Sequence, residues 1–300
     1  MKNTLFVIVG PTGVGKTSVS LRLAKELDTE IISADSRQFF KEMHIGTAAP
    51  TAEELQIATH HFIANKSIFD YYSVFKFETE CLTLLDELLP RKKHALLVGG
   101  SGLYIDALCN GIDDIPDVEP EIRESVTKRF EKEGIEALRF DLKKLDPEYY
   151  KTVDLRNPKR IIRGLEICLS TGKPYSSFRT NTKKTRNFNI VKIGLNMDRQ
   201  LLYDRIDQRV DKMIAEGLEE EAKGLYSHRK LNALNTVGYK ELFEHFNGNI
   251  SLERAIELIK RNSRRYAKRQ LAWFGRDKST KWFDPANCNE IKEYIQLTNK

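Results

Sequence analysis

Residues 10–17 read Gly-Pro-Thr-Gly-Val-Gly-Lys-Thr and follow the apolar run Leu5-Phe6-Val7-Ile8-Val9. An apolar strand, a glycine-rich turn and a helix start are the context in which this pattern forms a P-loop. Gly10, Gly13 and Gly15 let the backbone aim N–H groups at a phosphate with no Cβ in the way, and Pro11, Thr12 and Val14 complete the turn. Lys16 supplies a point charge for a terminal phosphate, and the Thr17 hydroxyl can ligate Mg²⁺. The helix expected from Gly15 to Leu27 points its N-terminus at the same anion. A glycine turn with no ligand has no need of Gly-Lys-Thr. The stretch therefore reads as a site for a diphosphate or triphosphate, without saying what happens to it.

Outward from the loop, short apolar strands alternate with helical patterns through residue 110. Glu30–Ala34 reads as a second strand and Ala95–Val98 as a third, with Leu82, Leu85 and Leu89 at helical spacing between them. This alternation predicts an α/β fold with a P-loop NTPase-like parallel sheet. Ligands in such sheets lie at the C-terminal ends of the strands. Three polar clusters fall there: the P-loop, Asp35-Ser36-Arg37-Gln38 and Gly99-Gly100-Ser101-Gly102. For Asp35 two roles stay open, a carboxylate for substrate or metal and a cap for the next turn.

The texture changes at Asp113–Asp117. Residues 119–171 read as charged helices punctuated by Pro147 and Pro158, Pro174 follows, and 175–188 read as a polar connector. A strand returns at Ile190–Leu195. Helices are then expected over 198–216, 217–226, 238–246 and 251–274, the last opened by Ser251 as N-cap. The expected organisation is a catalytic core of residues 1–114 and 187–300 with a helical insertion at 115–186.

The chain has 300 residues, 40% hydrophobic and 31% charged, with a net charge of +6. No run approaches the roughly 20 apolar residues of a membrane span. Met1-Lys2-Asn3 leads straight into the first strand, so no targeting segment is expected and the cytoplasm is the expected compartment. Cys81, Cys109, Cys168 and Cys288 are far apart and suggest neither zinc nor disulfides. His60 and His61 are adjacent on an expected strand and point to opposite faces, which argues against a shared metal. Glu219-Glu220-Glu221 sits at a helix start, where acids are favoured and solvated.

The charge is unevenly placed. Lys260, Arg261, Arg264, Arg265, Lys268, Arg269 and Arg276 follow one another with no acidic residue among them. Most recur at steps of three and four and share a broad helix face. Tyr266, Trp273 and Phe274 are interleaved. Like charges so arranged call for an external polyanion, and nucleic-acid phosphates suit it. A second basic face runs through Arg156, Lys159, Arg160 and Arg163.

Taken together, these motifs resemble the bacterial tRNA dimethylallyltransferase family, also called tRNA isopentenyltransferase. The likeness covers residues 10–17, 35–38, Gly46-Thr47-Ala48 with Pro50, and 99–104. It continues through Arg156–Ile161 with Leu165-Glu166, Arg205–Arg209, Val237–Glu241 and Tyr266–Gln270. The resemblance implies transfer of a dimethylallyl group from dimethylallyl diphosphate to N6 of adenosine 37 of tRNA, in the anticodon stem-loop, with release of diphosphate. It implies that the P-loop holds diphosphate, that Asp35 takes the proton from the amine, and that Thr17 binds Mg²⁺. It gives Arg209 the task of neutralising the departing diphosphate. It places Asp35, Ser36, Arg37, Gln38, Ser101, Arg123, Lys159, Arg160, Ile161, Ile162 and Arg163 along the tRNA. Asn235, Thr236, Val237, Gly238, Tyr239 and Lys240 join them, and a monomer is expected. A stacked adenine offers no access to its amine, so the base must be flipped out. Ala49 stands where the family usually has Lys, Phe40 where it has Tyr, and Gly164 where it has Ala.

A P-loop small-molecule or nucleoside kinase would account for residues 1–110 but leaves both basic faces without a role. A non-catalytic RNA-binding protein would account for those faces but not for an intact Gly-Lys-Thr.

Overall fold

A computed structural model describes residues 3–180 and 182–298. Met1 and Lys2, ahead of the first strand, and Asn181, in the polar connector, lie outside the described residues. In chain order the elements begin β1 (Thr4–Val9), α1 (Lys16–Glu26), β2 (Ile31–Ser33), α2 (Ala52–Ile57), β3 (His60–His61), α3 (Val74–Lys92), β4 (His94–Gly99) and α4 (Gly102–Asn110). Then come α5 (Pro120–Leu145), α6 (Pro147–Thr152), α7 (Pro158–Thr171), β5 (Asn189–Leu195), α8 (Arg199–Ala215) and α9 (Leu218–Leu225). The last are α10 (Tyr239–Phe246), α11 (Leu252–Phe274), β6 (Lys281–Phe283) and α12 (Cys288–Thr298).

The strands form one sheet in the order β3-β2-β4-β1-β5-β6, with every pairing parallel. All six residues of β1 are buried because the strand is central and covered on both faces. The pleat sends Leu5, Val7 and Val9 to one side, against Phe77, Leu85 and Leu88 of α3 and Leu108 of α4. Phe6 and Ile8 go to the other, against Val19 and Leu23 of α1 and Ile291 and Ile295 of α12. Each such side chain contributes about 1.5–3 kcal/mol by leaving water. Consequently the polar turns after β1, β2 and β4, strands adjacent in the sheet, meet at one edge.

The chain forms two compact units, Met1–Asn110 with Arg186–Lys300, and Gly111–Thr185. In the first, α8 to α11 build a further core around Met43, Leu218, Leu234, Tyr239, Leu242 and Ile259. Asp198 and Ser251 cap α8 and α11 with their side chains, as acceptors for otherwise unpaired N–H groups. Glu221 departs from the expectation of a solvated helix start. Its carboxylate accepts the N–H groups of His44, Ile45 and Gly46 at 2.8–2.9 Å and the Tyr239 hydroxyl at 2.6 Å. One side chain thus pins the segment after β2 to the helical layer.

The second unit packs α5, α6 and α7 around Leu138, Leu142, Tyr149, Ile161 and Leu165. Pro147 and Pro158 sit at helix starts, where the missing N–H costs nothing. Buried Asp146 caps α6 through the Tyr149 N–H at 2.9 Å and accepts both the N–H and the hydroxyl of Ser176. The Tyr149 ring lies so close over Gly164 that a Cβ there would approach it to 2.8 Å. The expected helices over 119–171 are present. Helix α2, strand β6 and helix α12 lay outside the sequence expectations.

Candidate active site

The P-loop links β1 to α1, and its crest turns through Gly13 and Gly15 at φ +80° and +105°. These left-handed values favour glycine. Lys16 Nζ donates to the Gly10 and Pro11 carbonyls at 3.0 and 2.8 Å. Burial, and then the neighbouring Arg209 guanidinium, lower its pKa to about 7 against the opposing pull of Asp35. An anion in the loop would restore the ammonium charge. Arg209, from α8, donates to the Thr12 hydroxyl at 3.3 Å; burial lowers its pKa while Asp35 raises it.

Asp35 lies two residues beyond β2. Its Oδ1 accepts the Arg37 N–H at 3.0 Å, so it does cap the turn. The same carboxylate also faces a cavity of about 770 Å³ shared with Lys16, Thr17, Arg37, Arg209 and Tyr266. Burial lowers the Arg37 pKa, with Tyr104 and Asp35 opposing it, and burial pushes the Tyr104 and Tyr266 phenols up to about 12. Both phenols are neutral near pH 7 and lie within electrostatic reach of Asp35, as do Lys16, Arg37 and Arg209. Apolar wall comes from Ile206, Val210, Met213, Leu218 and Ile259.

Of the sequence candidates, Thr12, Gly13, Gly15, Lys16 and Thr17 line this cavity, as do Asp35 to Gln38 and Arg209. Asn235, Thr236, Val237, Gly238 and Lys240 do too. Val14 is buried beneath the loop. The Gln38 amide is held by the Ser33 hydroxyl and the Thr47 and Ala48 carbonyls, so it braces the wall. Ser101 is buried and accepts the Ser36 N–H at 2.9 Å, which fixes the turn carrying Asp35. The side chains of Tyr239 and Ile161 are fully buried, Tyr239 with its hydroxyl donating to Glu221.

Arg123, Lys159, Arg160, Ile162 and Arg163 belong to the second unit. Arg123 and Arg163 share the buried Glu166 carboxylate, each at 3.6 Å, whereas Arg156, Lys159 and Arg160 are exposed. On α11 the basic run divides. Lys260 and Arg264 pair with Asp211 and Asp207 of α8 at 2.6 and 2.5 Å. Arg276 stacks on Trp273 at 4.0 Å. Arg261, Arg265 and Lys268 are exposed and carry no ion pair among the described residues. Phe274 is core and Trp273 donates to Asp106, so neither ring is a free stacking platform.

Sequence reasoning missed Arg205, Asn262, Arg265, Arg269 and Gln270 as cavity wall. The available signal was the buried stripe of α11, Ala255, Ile259, Ala267 and Phe274, onto which Gln270 falls.

The sequence model of the IPP transferase family matches residues 38–277. A tRNA dimethylallyltransferase of Christiangramia forsetii is 56% identical over 99% of this chain and 98% of its own length. One from Bacteroides fragilis is 54% identical over 99% of both. Among solved structures, the full-length tRNA isopentenylpyrophosphate transferase of Bacillus halodurans superposes with a TM-score of 0.71 at 41% identity, covering 98% of this chain and 96% of that one. A eukaryotic dimethylallyltransferase acting on tRNA gives 0.76 at 30% identity, over 90% of this chain and 69% of that one. With a phosphate loop, a carboxylate and an arginine wall around one cavity, and with relatives alike over nearly the full length, this chain belongs to the IPP transferase family.

Proposed function

We propose that the chain transfers the dimethylallyl group of dimethylallyl diphosphate to N6 of adenosine 37 in the anticodon stem-loop of tRNA. The observation that carries this reading is the shared cavity, in which the phosphate loop, Asp35 and an apolar wall face one another. The N6 lone pair attacks C1 of the dimethylallyl group. The C1–O bond breaks, its electron pair leaves with diphosphate, and the N6 proton passes to Asp35. The N–H groups of residues 13–16, Lys16 and Arg209 hold the diphosphate and stabilise the charge it gains. The apolar wall shields the developing allylic cation from water.

Mg²⁺ commonly takes few protein ligands when substrate phosphates supply the rest. The Thr17 hydroxyl is a hard oxygen donor on the cavity wall and fits such an ion. Bound there, it would neutralise diphosphate charge. Among the described residues no cluster of three His, Cys, Asp or Glu side chains could hold a metal alone.

The exposed cations of α11 and α7 supply the sequence-independent attraction for RNA. No helix among the described residues is long and apolar enough to cross a membrane. The test is incubation with unmodified tRNA and either dimethylallyl diphosphate or ATP. Dimethylallyl on RNA with release of diphosphate is expected; phosphoryl transfer from ATP would instead favour a kinase.

A further inference from the structure

Gln270 is the one uncharged polar side chain of α11 that is buried, at 5% exposure, inside a strongly basic stretch. Both ends of its amide are used. Oε1 accepts the Thr12 N–H at 2.8 Å, and Nε2 donates to the Gly100 carbonyl at 2.9 Å. Thr12 lies on the crest of the phosphate loop. Gly100 precedes Ser101, which accepts the Ser36 N–H and so fixes the turn that carries Asp35. Gly100 is tight against the amide: a Cβ there would collide with Nε2. The Tyr266 hydroxyl, one turn earlier on α11, reaches the same Gly100 carbonyl at 3.5 Å.

We infer that Gln270 is a positioning residue that sets the separation between the loop holding the donor diphosphate and the turn presenting Asp35 to the acceptor amine. The inference rests on the transfer reaction proposed above. Gln270 touches neither substrate in this role. It acts through Thr12 on one side and through Gly100 and Ser101 on the other. Its amide is suited to the task because it accepts at one end and donates at the other. A buried amide bonded at both ends is rigid, whereas losing either bond leaves a buried polar group unpaired. In-line attack tolerates little error in the distance between attacking nitrogen and leaving oxygen, and misplacement of about 1 Å costs on the order of 10²-fold in rate.

The experiment measures kcat and both KM values for the full chain with Gln270→Met and Gln270→Glu, with unmodified tRNA and dimethylallyl diphosphate as substrates. Met matches the volume and removes both hydrogen bonds. Its kcat should fall by roughly 10- to 100-fold with both KM values held. Glu accepts from Thr12 but repels the Gly100 carbonyl unless it is protonated, so its kcat relative to the unsubstituted chain should rise as pH is lowered from about 8 to about 6. A purely structural glutamine would give no such pH-dependent rescue among molecules that remain folded, which thermal melting at each pH establishes.

A second measurement uses Gly100. Gly100→Ala should cost as much as Gln270→Ala, and the double variant little more than either, because the added methyl fills space the amide has left. Unchanged kcat in Gln270→Met, a loss confined to KM for dimethylallyl diphosphate, a flat Gln270→Glu ratio or additive Gly100 and Gln270 costs would each overturn the inference. If the unsubstituted chain transfers no dimethylallyl group to tRNA, the proposed reaction fails with it. An active unsubstituted chain with an equally active Gln270→Met variant defeats the positioning role alone.

Discussion

The division of the basic run on α11 makes a quantitative prediction for tRNA binding. Arg261, Arg265 and Lys268 stand at i, i+4 and i+7 and share a stripe that is open to solvent. Lys260 and Arg264 form the neighbouring stripe and are neutralised by Asp211 and Asp207 of α8. A cation already paired releases few counterions when RNA arrives, because its charge is cancelled within the protein. Each phosphate newly neutralised on RNA contributes about −0.7 to −0.9 to the slope of log K against log salt. Replacing Arg265 and Lys268 by Ala should therefore flatten that slope by about 1.4–1.8. Replacing Lys260 and Arg264 removes two cations but exposes two aspartates, so its net change in charge is the same. Its signature is different: Asp207 and Asp211 now repel RNA, and adding Asp207→Asn with Asp211→Asn should restore the original slope. The assay is fluorescence anisotropy of labelled tRNA across a salt series, with helix content checked by circular dichroism. A Lys260 and Arg264 variant that the two Asn substitutions do not rescue, or an Arg265 and Lys268 variant with an unchanged slope, would refute the partition of this helix into a paired and an open stripe.

Asp35→Asn should lower kcat by about 10²–10⁴ while tRNA affinity holds, since Asn still caps the Arg37 N–H but cannot take a proton; single-turnover transfer with a parallel binding titration checks it. Arg186→Met should destabilise the fold by about 3–5 kcal/mol in urea unfolding. It strips the cation from the buried Glu78 carboxylate at 2.5 Å and from the Ala107 and Leu108 carbonyls that end α4. For Asp277, burial pulls its pKa up, but hydrogen bonds from Lys192 and Ser279 outweigh that and bring it from 3.8 to about 2. A carboxyl depressed on folding contributes stability that is present above pH 3.8 and lost as pH falls through about 2. Asp277→Asn should remove that part of the acid limb in a pH series of thermal melts.

The P-loop was legible in the sequence because its signals are local. A strand of five apolar residues, glycines where the backbone must turn, and a lysine and threonine at set spacing need no distant partner to be read. The same holds for the alternation that gave a parallel sheet, and for Ser251 as a cap. Parallel topology then brings the turns after β1, β2 and β4 to one edge. Strand β6 escaped notice because Lys281-Trp282-Phe283 is too short to show a period.

What the tertiary structure alone decided is which charges meet. Helical periodicity puts Lys260 and Arg264 on one face, but their counter-ions lie 49 and 57 positions away, on a helix whose packing angle no local pattern encodes. Glu221 read as a solvated acid, yet it reaches back 175 to 177 positions to hold three backbone N–H groups. Gln270 closes a motif of the resemblance, but its partner Thr12 lies 258 positions away, beyond any local pattern. In each case the sequence specifies the donor or acceptor and the face it occupies. The partner is chosen by long-range packing, where the cost of leaving a buried polar group unpaired selects one arrangement over the others.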